Sequence, residues 1–306
     1  MPEIVEVKRY ADFLSEHFKN NKIINIKILK GRYKKHKPFI GYYKFANNLP
    51  VKVLDVLTKG KFIYFIMDNN LILFNTLGLS GGWVYSSTKL KHDGDHSNVK
   101  HPTVHEFLNK NDVEQYRETS LKHLNIMLTL EKGFLYYFDM LSYGTLKIGT
   151  LEDLNKKLSK IGPDFLDLTT TLELFIERIK KKTNLDKMIG NVLMNQTVVS
   201  GIGNYLRADS MWLAKISPHR KIKDLSDIEL GIIFKSIRAL VWSDYNYNKA
   251  VKLKFIRKNF KTPQKHNRDF FIYYYENDIY GNIVKKEEMY EGSQKRFIYW
   301  CPNIQK

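Results

Sequence analysis

The sequence predicts an α+β protein: helical at its amino terminus, built of short strands through the rest of its first half, and helical through most of the second. Three changes of hydrophobic period carry this reading. Residues 3 to 18 place Val7, Tyr10, Ala11, Leu14 and Phe18 at helical spacing, from Lys22 to about Leu146 the apolar residues gather in short runs, and after Leu151 the helical spacing returns. At 306 residues the chain is long enough for two domains of about 150 residues each.

The first helix carries Glu3 and Glu6 in its opening turn, where carboxylates complement the positive helix end. The runs Ile23 to Leu29, Val51 to Leu57, Lys61 to Met67 and Leu71 to Phe74, with Asp68-Asn69-Asn70 as a turn, read as a β-sandwich or barrel. Between Ser86 and Asn111 the chain is polar and aperiodic, a surface loop. Its His92, His96, His101 and His105 have no diagnostic metal spacing and read as solvated side chains. In the second half Leu172, Phe175, Ile176 and Ile179 line one helical face, and Ser226-Asp227-Ile228-Glu229 is a capping box opening a helix to about Trp242. The expected division is a first domain over residues 1–150, a linker over 151–164 with the boundary near Lys160 to Pro163, a helical domain over 165–248, and a last segment over 249–306. That segment opens on a basic connector, Lys249 to Arg268, and closes on aromatic and β-branched runs, Phe270 to Trp300, that read as a hairpin.

Fifty Lys and Arg against 32 Asp and Glu give a formal net charge of +18, a field that attracts polyanions. Nucleic acid is the first partner to expect, although composition alone fits a merely soluble basic protein equally well. A hydrophobic fraction of 43% with 13% aromatics belongs to a folded chain. No apolar run approaches the roughly 18 to 20 residues of a membrane-spanning helix, and no cleavable signal opens the sequence, so an intracellular protein is expected. Cys301 is the only thiol, which excludes an intramolecular disulfide and a thiolate zinc cage and fits a reducing compartment, nucleus or cytoplasm.

Two segments can carry chemistry. Removal of Met1 before the small Pro2 leaves a secondary amine beside Glu3. An α-amino group titrates near pH ~8, far below lysine, so part of it is a neutral nucleophile at physiological pH. A helix end and nearby lysines lower that value while Glu3 and Glu6 raise it, so its sign stays open. Such an amine attacks a sugar C1′ or a carbonyl to give an iminium, with a carboxylic acid donating a proton to the departing oxygen. The plainer alternative is a proline in the first helical position. The second segment runs Leu193-Met194-Asn195-Gln196 to Gly201-Ile202-Gly203-Asn204-Tyr205-Leu206-Arg207-Ala208-Asp209. A Gly-x-Gly-Asn turn feeding a helix is expected to present open backbone N–H groups to a phosphate, with the Asn204 amide as a further donor.

Taken together, Met1-Pro2-Glu3, Glu6-Val7 and this Gly-x-Gly-Asn segment closely resemble the helix-two-turn-helix DNA glycosylases of the formamidopyrimidine glycosylase and endonuclease VIII family. The Tyr-Leu-Arg-Ala continuation looks most like the endonuclease VIII-like branch. The resemblance spans nearly the whole chain, and it implies an amino-terminal β-sandwich with its helix, then a helix-two-turn-helix domain ending in a finger hairpin. It implies that Pro2 is the nucleophile and Schiff-base former, that Glu3 protonates the sugar oxygen, and that Glu6 contacts the lesion or sugar. The family's lysine falls on Lys61 in Gly60-Lys61-Phe62-Ile63-Tyr64, with Lys59 as fallback. Asn204 would grip the phosphates flanking the flipped nucleotide, and Asp209 stands where the family has an acidic residue.

In the finger, Gln294-Lys295-Arg296-Phe297-Ile298-Tyr299-Trp300-Cys301-Pro302 keeps the family's hairpin pattern, with Arg296 in the arginine position. The four thiolate positions fall on Asn277, Tyr280, Cys301 and Ile304, so no metal is expected and the finger resembles a zincless one. The family's void-filling wedges fall on Leu79 in Gly78-Leu79-Ser80-Gly81, and on Leu141 and Tyr143 in Asp139-Met140-Leu141-Ser142-Tyr143-Gly144, where Leu141 replaces an arginine and Tyr143 a phenylalanine. Ordinary core packing is the alternative for each. Gly190 stands where many relatives have a lysine, which removes a backbone contact. The implied activity is a bifunctional DNA glycosylase and abasic-site lyase acting through β,δ-elimination, monomeric and without external cofactor. Its partner would be damaged DNA, double-stranded, single-stranded or in a bubble, with oxidised pyrimidines and ring-opened or further-oxidised purines as substrates. Two rivals are a non-enzymatic damaged-DNA binder on the same fold, against which the intact Pro2, Glu3 and Lys61 set argues, and an amino-terminal-proline tautomerase, for which +18 has no use.

Overall fold

The computed structural model describes residues 2–90, 99–100, 121–246, 270–291 and 294–306. His92, His96, His101 and His105 of the polar loop, and the basic connector Lys249 to Arg268, lie outside the described residues. The chain divides into two compact units, Met1–Pro2 with Glu6–Lys160, and Glu3–Val5 with Ile161–Lys306.

The first unit is a sandwich-like antiparallel sheet packed on a helix. Its strands are β1 (Lys22–Ile28), β2 (Val51–Lys59), β3 (Phe62–Met67), β4 (Ile72–Thr76), β5 (Gly81–Ser86), β6 (Val99–Lys100), β7 (Leu124–Leu130), β8 (Phe134–Asp139) and β9 (Thr145–Gly149), in the order β6-β5-β8-β7-β1-β2-β3-β4-β9. Between β1 and β2 the register holds only Lys22↔Lys52 and Ile23↔Val51. The sheet opens there into two layers, and both contribute to one core with helix α1 (Ile4–Phe18), whose Val7, Tyr10, Ala11, Leu14 and Phe18 are buried in it. Side-chain alternation assigns the faces: Leu135 and Tyr137 enter that core, while Tyr136 and Phe138 pack on the other face with Val84 and Met127. Two short helices, α2 (Arg32–Lys35) and α3 (Tyr42–Ala46), leave no periodic signal because each is about one turn long. Residues 151–164, expected as a linker, instead begin with α4 (Leu151–Leu158), capped reciprocally by Thr150 and Asp153, and this helix belongs to the first unit.

The second unit gathers α5 (Leu172–Ile179), α6 (Ile189–Val192), α7 (Asn204–Ala214) and α8 (Asp227–Tyr245) around Phe165, Phe175, Phe234 and other buried side chains, with Ile4 and Val5 in the same core. Helix α8 starts at the predicted capping box and runs three residues beyond Trp242. The last element is the antiparallel pair β10 (Lys285–Glu291) and β11 (Gln294–Trp300), in register from Lys285↔Trp300 to Glu291↔Gln294.

At the finger positions Cys301 is buried, Asn277 bridges Ile283, and Ile304 packs against the helical core. The buried Asp278 carboxylate accepts from the N–H groups of Tyr280 at 2.9 Å and Asn282 at 2.8 Å and from the Trp212 indole at 3.1 Å. Trp212 in turn stacks on Phe271 and Tyr280, with centroids 5.0 and 5.9 Å away. Asp278→Ala should cost about 3 kcal/mol in a urea titration, because it leaves these buried donors without their acceptor. A loss below about 1 kcal/mol would remove Asp278 as organiser of the finger.

A second test concerns acid. The Arg220 guanidinium and the Ser226 N–H hold the Glu229 carboxyl down at about 2 from the usual 4.5. Its folded value is depressed, so the stability it contributes is complete above pH 4.5 and is lost as pH falls toward about 2. Glu229→Gln should flatten the stability profile in that window and leave its slope near neutrality unchanged, as read by chemical denaturation across pH.

Candidate active site and nucleic-acid interface

Helix α7 begins after Gly203, a residue with no side chain to cap the orphan N–H groups of the first turn. Glu3 caps it instead from 200 positions away. Its carboxylate, 1% exposed, accepts from the N–H groups of Gly203 at 2.6 Å, Tyr205 at 2.9 Å and Leu206 at 3.3 Å. The Ile4 N–H donates to the Gly201 carbonyl at 3.0 Å, and Gly201 lies so close that a Cβ there would sit 2.6 Å from that of Ile4. An anion at a helix amino terminus satisfies both the dipole and the open donors.

This geometry corrects the expectation of an open phosphate nest, because Glu3 takes three of the amides that were to grip DNA. Asn204 is not among the three residues whose N–H groups Glu3 takes. Its amide oxygen accepts from the Arg207 guanidinium at 3.2 Å, which leaves the NH2 end as the donor. Pro2 is half-buried and precedes the helix start at Ile4 by two residues, so it does not take the first helical position that the plainer reading gave it. Glu6 is buried, at 5% exposure. Lys61 lies with Gly60 in the two-residue turn joining β2 to β3, one position before the strand that sequence placed it in. The Lys59 ammonium donates to the Leu158 carbonyl at 3.2 Å, at the carboxyl end of α4 where the helix dipole favours a cation.

Arg207, which sequence shows only as part of the motif, and Asp209, at the family's acidic position, both organise the second unit. Arg207 is fully buried and donates to the carbonyls of Gly190 at 3.2 Å and Phe297 at 2.8 Å as well as to Asn204, so it ties α7 to strand β11. Arg296 lies one residue before Phe297 on that strand, opposite Met289. Asp209 is buried and accepts from the N–H groups of Phe271, Ile272 and Tyr273 at 2.9, 3.0 and 3.3 Å, a backbone clamp. Burial together with the neighbouring Tyr274 and Glu3 pushes the Tyr273 phenol far up, so it stays protonated.

The wedge candidates cluster on the first unit. Strand pairs β4–β9 and β5–β8 lie in register at Thr76↔Thr145 and Gly81↔Asp139, so the β4–β5 turn carrying Leu79 runs beside the β8–β9 loop carrying Leu141 and Tyr143. Their exposures of 42%, 57% and 62% reject the core-packing alternative.

Among the described residues no group of three or more His, Cys, Asp or Glu side chains is arranged to hold a metal ion, and no helix is long and apolar enough to cross a membrane. Residues 1–146 match the formamidopyrimidine-DNA glycosylase N-terminal domain, and residues 161–252 the H2TH domain of the same enzymes. A formamidopyrimidine-DNA glycosylase of Ureaplasma parvum is 25% identical over 316 residues, and an endonuclease 8 of Salmonella arizonae 23% identical over 322, each alignment covering both chains completely. A crystal structure of Lactococcus lactis FPG in complex with DNA containing an oxidised pyrimidine is 20% identical with a TM-score of 0.74, again over the whole of both chains. The chain belongs to the formamidopyrimidine-DNA glycosylase and endonuclease VIII family.

Proposed function

We propose that the protein is a bifunctional DNA glycosylase and abasic-site lyase of base excision repair. The observation that carries this is the Glu3 cap on α7, which fixes the residue next to Pro2 against the helix that begins with Asn204. Once Met1 is removed, the Pro2 nitrogen attacks the sugar C1′ and the damaged base leaves with the electrons of the glycosidic bond. Protonation of the ring oxygen then opens the sugar to the iminium, and loss of the 3′ and then the 5′ phosphate by β- and δ-elimination leaves a gap.

Glu3 is assigned the proton for ring opening. As an acceptor from three amides it has first to take that proton up, so cap strength and proton delivery are linked. Lys61 is assigned as the active lysine by its place in the family pattern, with Lys59, whose ammonium donates to the Leu158 carbonyl, as fallback. Glu6 is assigned to the lesion or sugar, Asn204 and Arg296 to the phosphates, and Leu79, Leu141 and Tyr143 to the void left by the extruded base. These apolar wedges and the finger, with one thiol among four family positions, support the endonuclease VIII-like branch. The substrates assigned are oxidised pyrimidines and ring-opened or further-oxidised purines. The enzyme works as a monomer in an intracellular, reducing compartment.

Borohydride trapping on an oligonucleotide with an abasic site should give a covalent adduct with the intact chain and none with Pro2→Thr, and Glu3→Gln should trap far more slowly. Absence of any adduct with the intact chain, while it still binds the oligonucleotide, would identify a damaged-DNA binder instead. For Arg296→Ala, damaged-DNA binding should weaken and the slope of log K against log salt should become shallower by about one unit. An unchanged slope would take Arg296 off the phosphate.

A further inference from the structure

The three exposed apolar side chains sit on backbone that is fixed in several independent ways. Asp139, 2% exposed, ends β8, and its carboxylate joins the two connections. One oxygen accepts from the Ser80 hydroxyl at 2.7 Å and the other from the Gly144 N–H at 2.7 Å. The same Ser80 hydroxyl accepts from the Leu141 N–H at 2.8 Å, so a single oxygen relays between Asp139 and the wedge loop. The Asp139 carbonyl itself accepts from the Asn125 amide at 3.2 Å.

Steric interlock adds to this. Gly78, at φ +63°, approaches the backbone of the facing loop so closely that a Cβ would lie 2.5 Å from the Gly144 nitrogen. Gly144 rests on the buried Tyr137 phenol, where a Cβ would lie 1.8 Å from the oxygen. Ser142 is held at φ +59°, a conformation unfavourable for a residue with a side chain, and its carbonyl accepts from the Arg32 guanidinium at 3.4 Å. Leu79 thus stands between two residues, Gly78 and Ser80, that both bear on the loop carrying Leu141 and Tyr143.

We infer that Ser80 and Asp139 are positioning residues for base extrusion, a clasp that holds Leu79, Leu141 and Tyr143 as one preorganised apolar prong. The inference rests on the proposed wedge role of those three side chains. Entering a base stack demands side chains whose placement is settled beforehand, because each group ordered during insertion subtracts from the free energy available to unstack the helix. Two freely moving loops tipped with leucine and tyrosine would collapse against their own domain to remove apolar surface from water. The clasp prevents that collapse.

The test compares two steps in the same preparation. One is single-turnover release of an oxidised pyrimidine from a duplex, which requires extrusion of a stacked base. The other is borohydride trapping at a preformed abasic site in the same duplex, which requires the covalent chemistry without unstacking a base. Ser80→Ala should lower the ratio of the first rate to the second by about tenfold, Ser80→Thr should restore it, and Asp139→Asn should shift it in the same direction as Ser80→Ala. A parallel fall of both rates in Ser80→Ala would mean that the clasp merely supports folding, and an unchanged ratio would mean that it does not act; either overturns the inference. The triple variant Leu79→Ala, Leu141→Ala, Tyr143→Ala separates the two layers of the argument. If it releases the base as fast as the parent, the wedge role fails and the clasp with it. If it is slow while Ser80→Ala retains the parent ratio, only the clasp fails.

Discussion

The start of α7 depends on a carboxylate that belongs to the start of the chain. A helix leaves about four N–H groups unmatched at its beginning, and a glycine there supplies no side chain to meet them. In this protein Glu3 meets three, and the burial of Ile4 and Val5 in the helical core keeps it in place. The consequence for chemistry is geometric. An amino terminus is ordinarily the least ordered part of a domain, whereas here the residue after Pro2 is locked by charge-assisted hydrogen bonds in a site with almost no solvent. On the proposed mechanism, an amine that must meet one carbon of a sugar gains from that order, since the residue beside it is placed before substrate arrives.

The second unit is wired in the same manner, by buried charged side chains that engage the backbone of distant segments. Arg207 donates to two carbonyls, Asp209 accepts from three amides, and Asp278 gathers two amides and an indole. Each cross-links segments far apart in sequence, and removing any one would strand several buried polar groups at once. In the finger this wiring does work that thiolates and a metal would otherwise share. Asp278 closes the turn between Asn277 and Ile283, and Trp212 fastens that turn to α7.

The fold was legible where period and capping act locally. The short apolar run of β3, the helical face of α1 and the capping box of α8 depend on neighbours a few residues away, and the structure follows them closely. Leu79, Leu141 and Tyr143 are reached by another route, resemblance to the family, and what the structure adds is that all three are exposed on adjacent connections. What sequence could not convey is partnership across long separations. Nothing in Gly-Ile-Gly-Asn says that its amides are already claimed by a residue 200 positions earlier, which is why an open anion nest was expected. In the sequence Asp139 and Ser80 only flank the wedge segments, because their connection exists only once β5 and β8 pair. Lys61 was misplaced by a single residue, since a two-residue turn and a strand start differ by hydrogen bonding that composition does not encode.

The proposed prong also constrains where discrimination would arise. In the proposed role Leu79 and Leu141 fill a gap by contact alone, and Leu141 offers no donor to the edge of an unpaired base, as a guanidinium would, which leaves the Tyr143 hydroxyl as the prong's one polar group. A site so equipped would draw less selectivity from hydrogen bonds to the opposite strand than one with a guanidinium there. What remains is the cost of extrusion, which is least for bases that stack or pair poorly, and the chemistry of the pocket that receives them. The first term depends on how firmly the prong is held, because a wedge that yields shares the strain with the duplex instead of transferring it to the weakest stack. On the proposed roles, a fixed prong and a fixed residue beside Pro2 answer complementary demands: extrusion would select bases that leave the stack readily, and the sugar carbon so exposed needs a nucleophile whose placement is already settled.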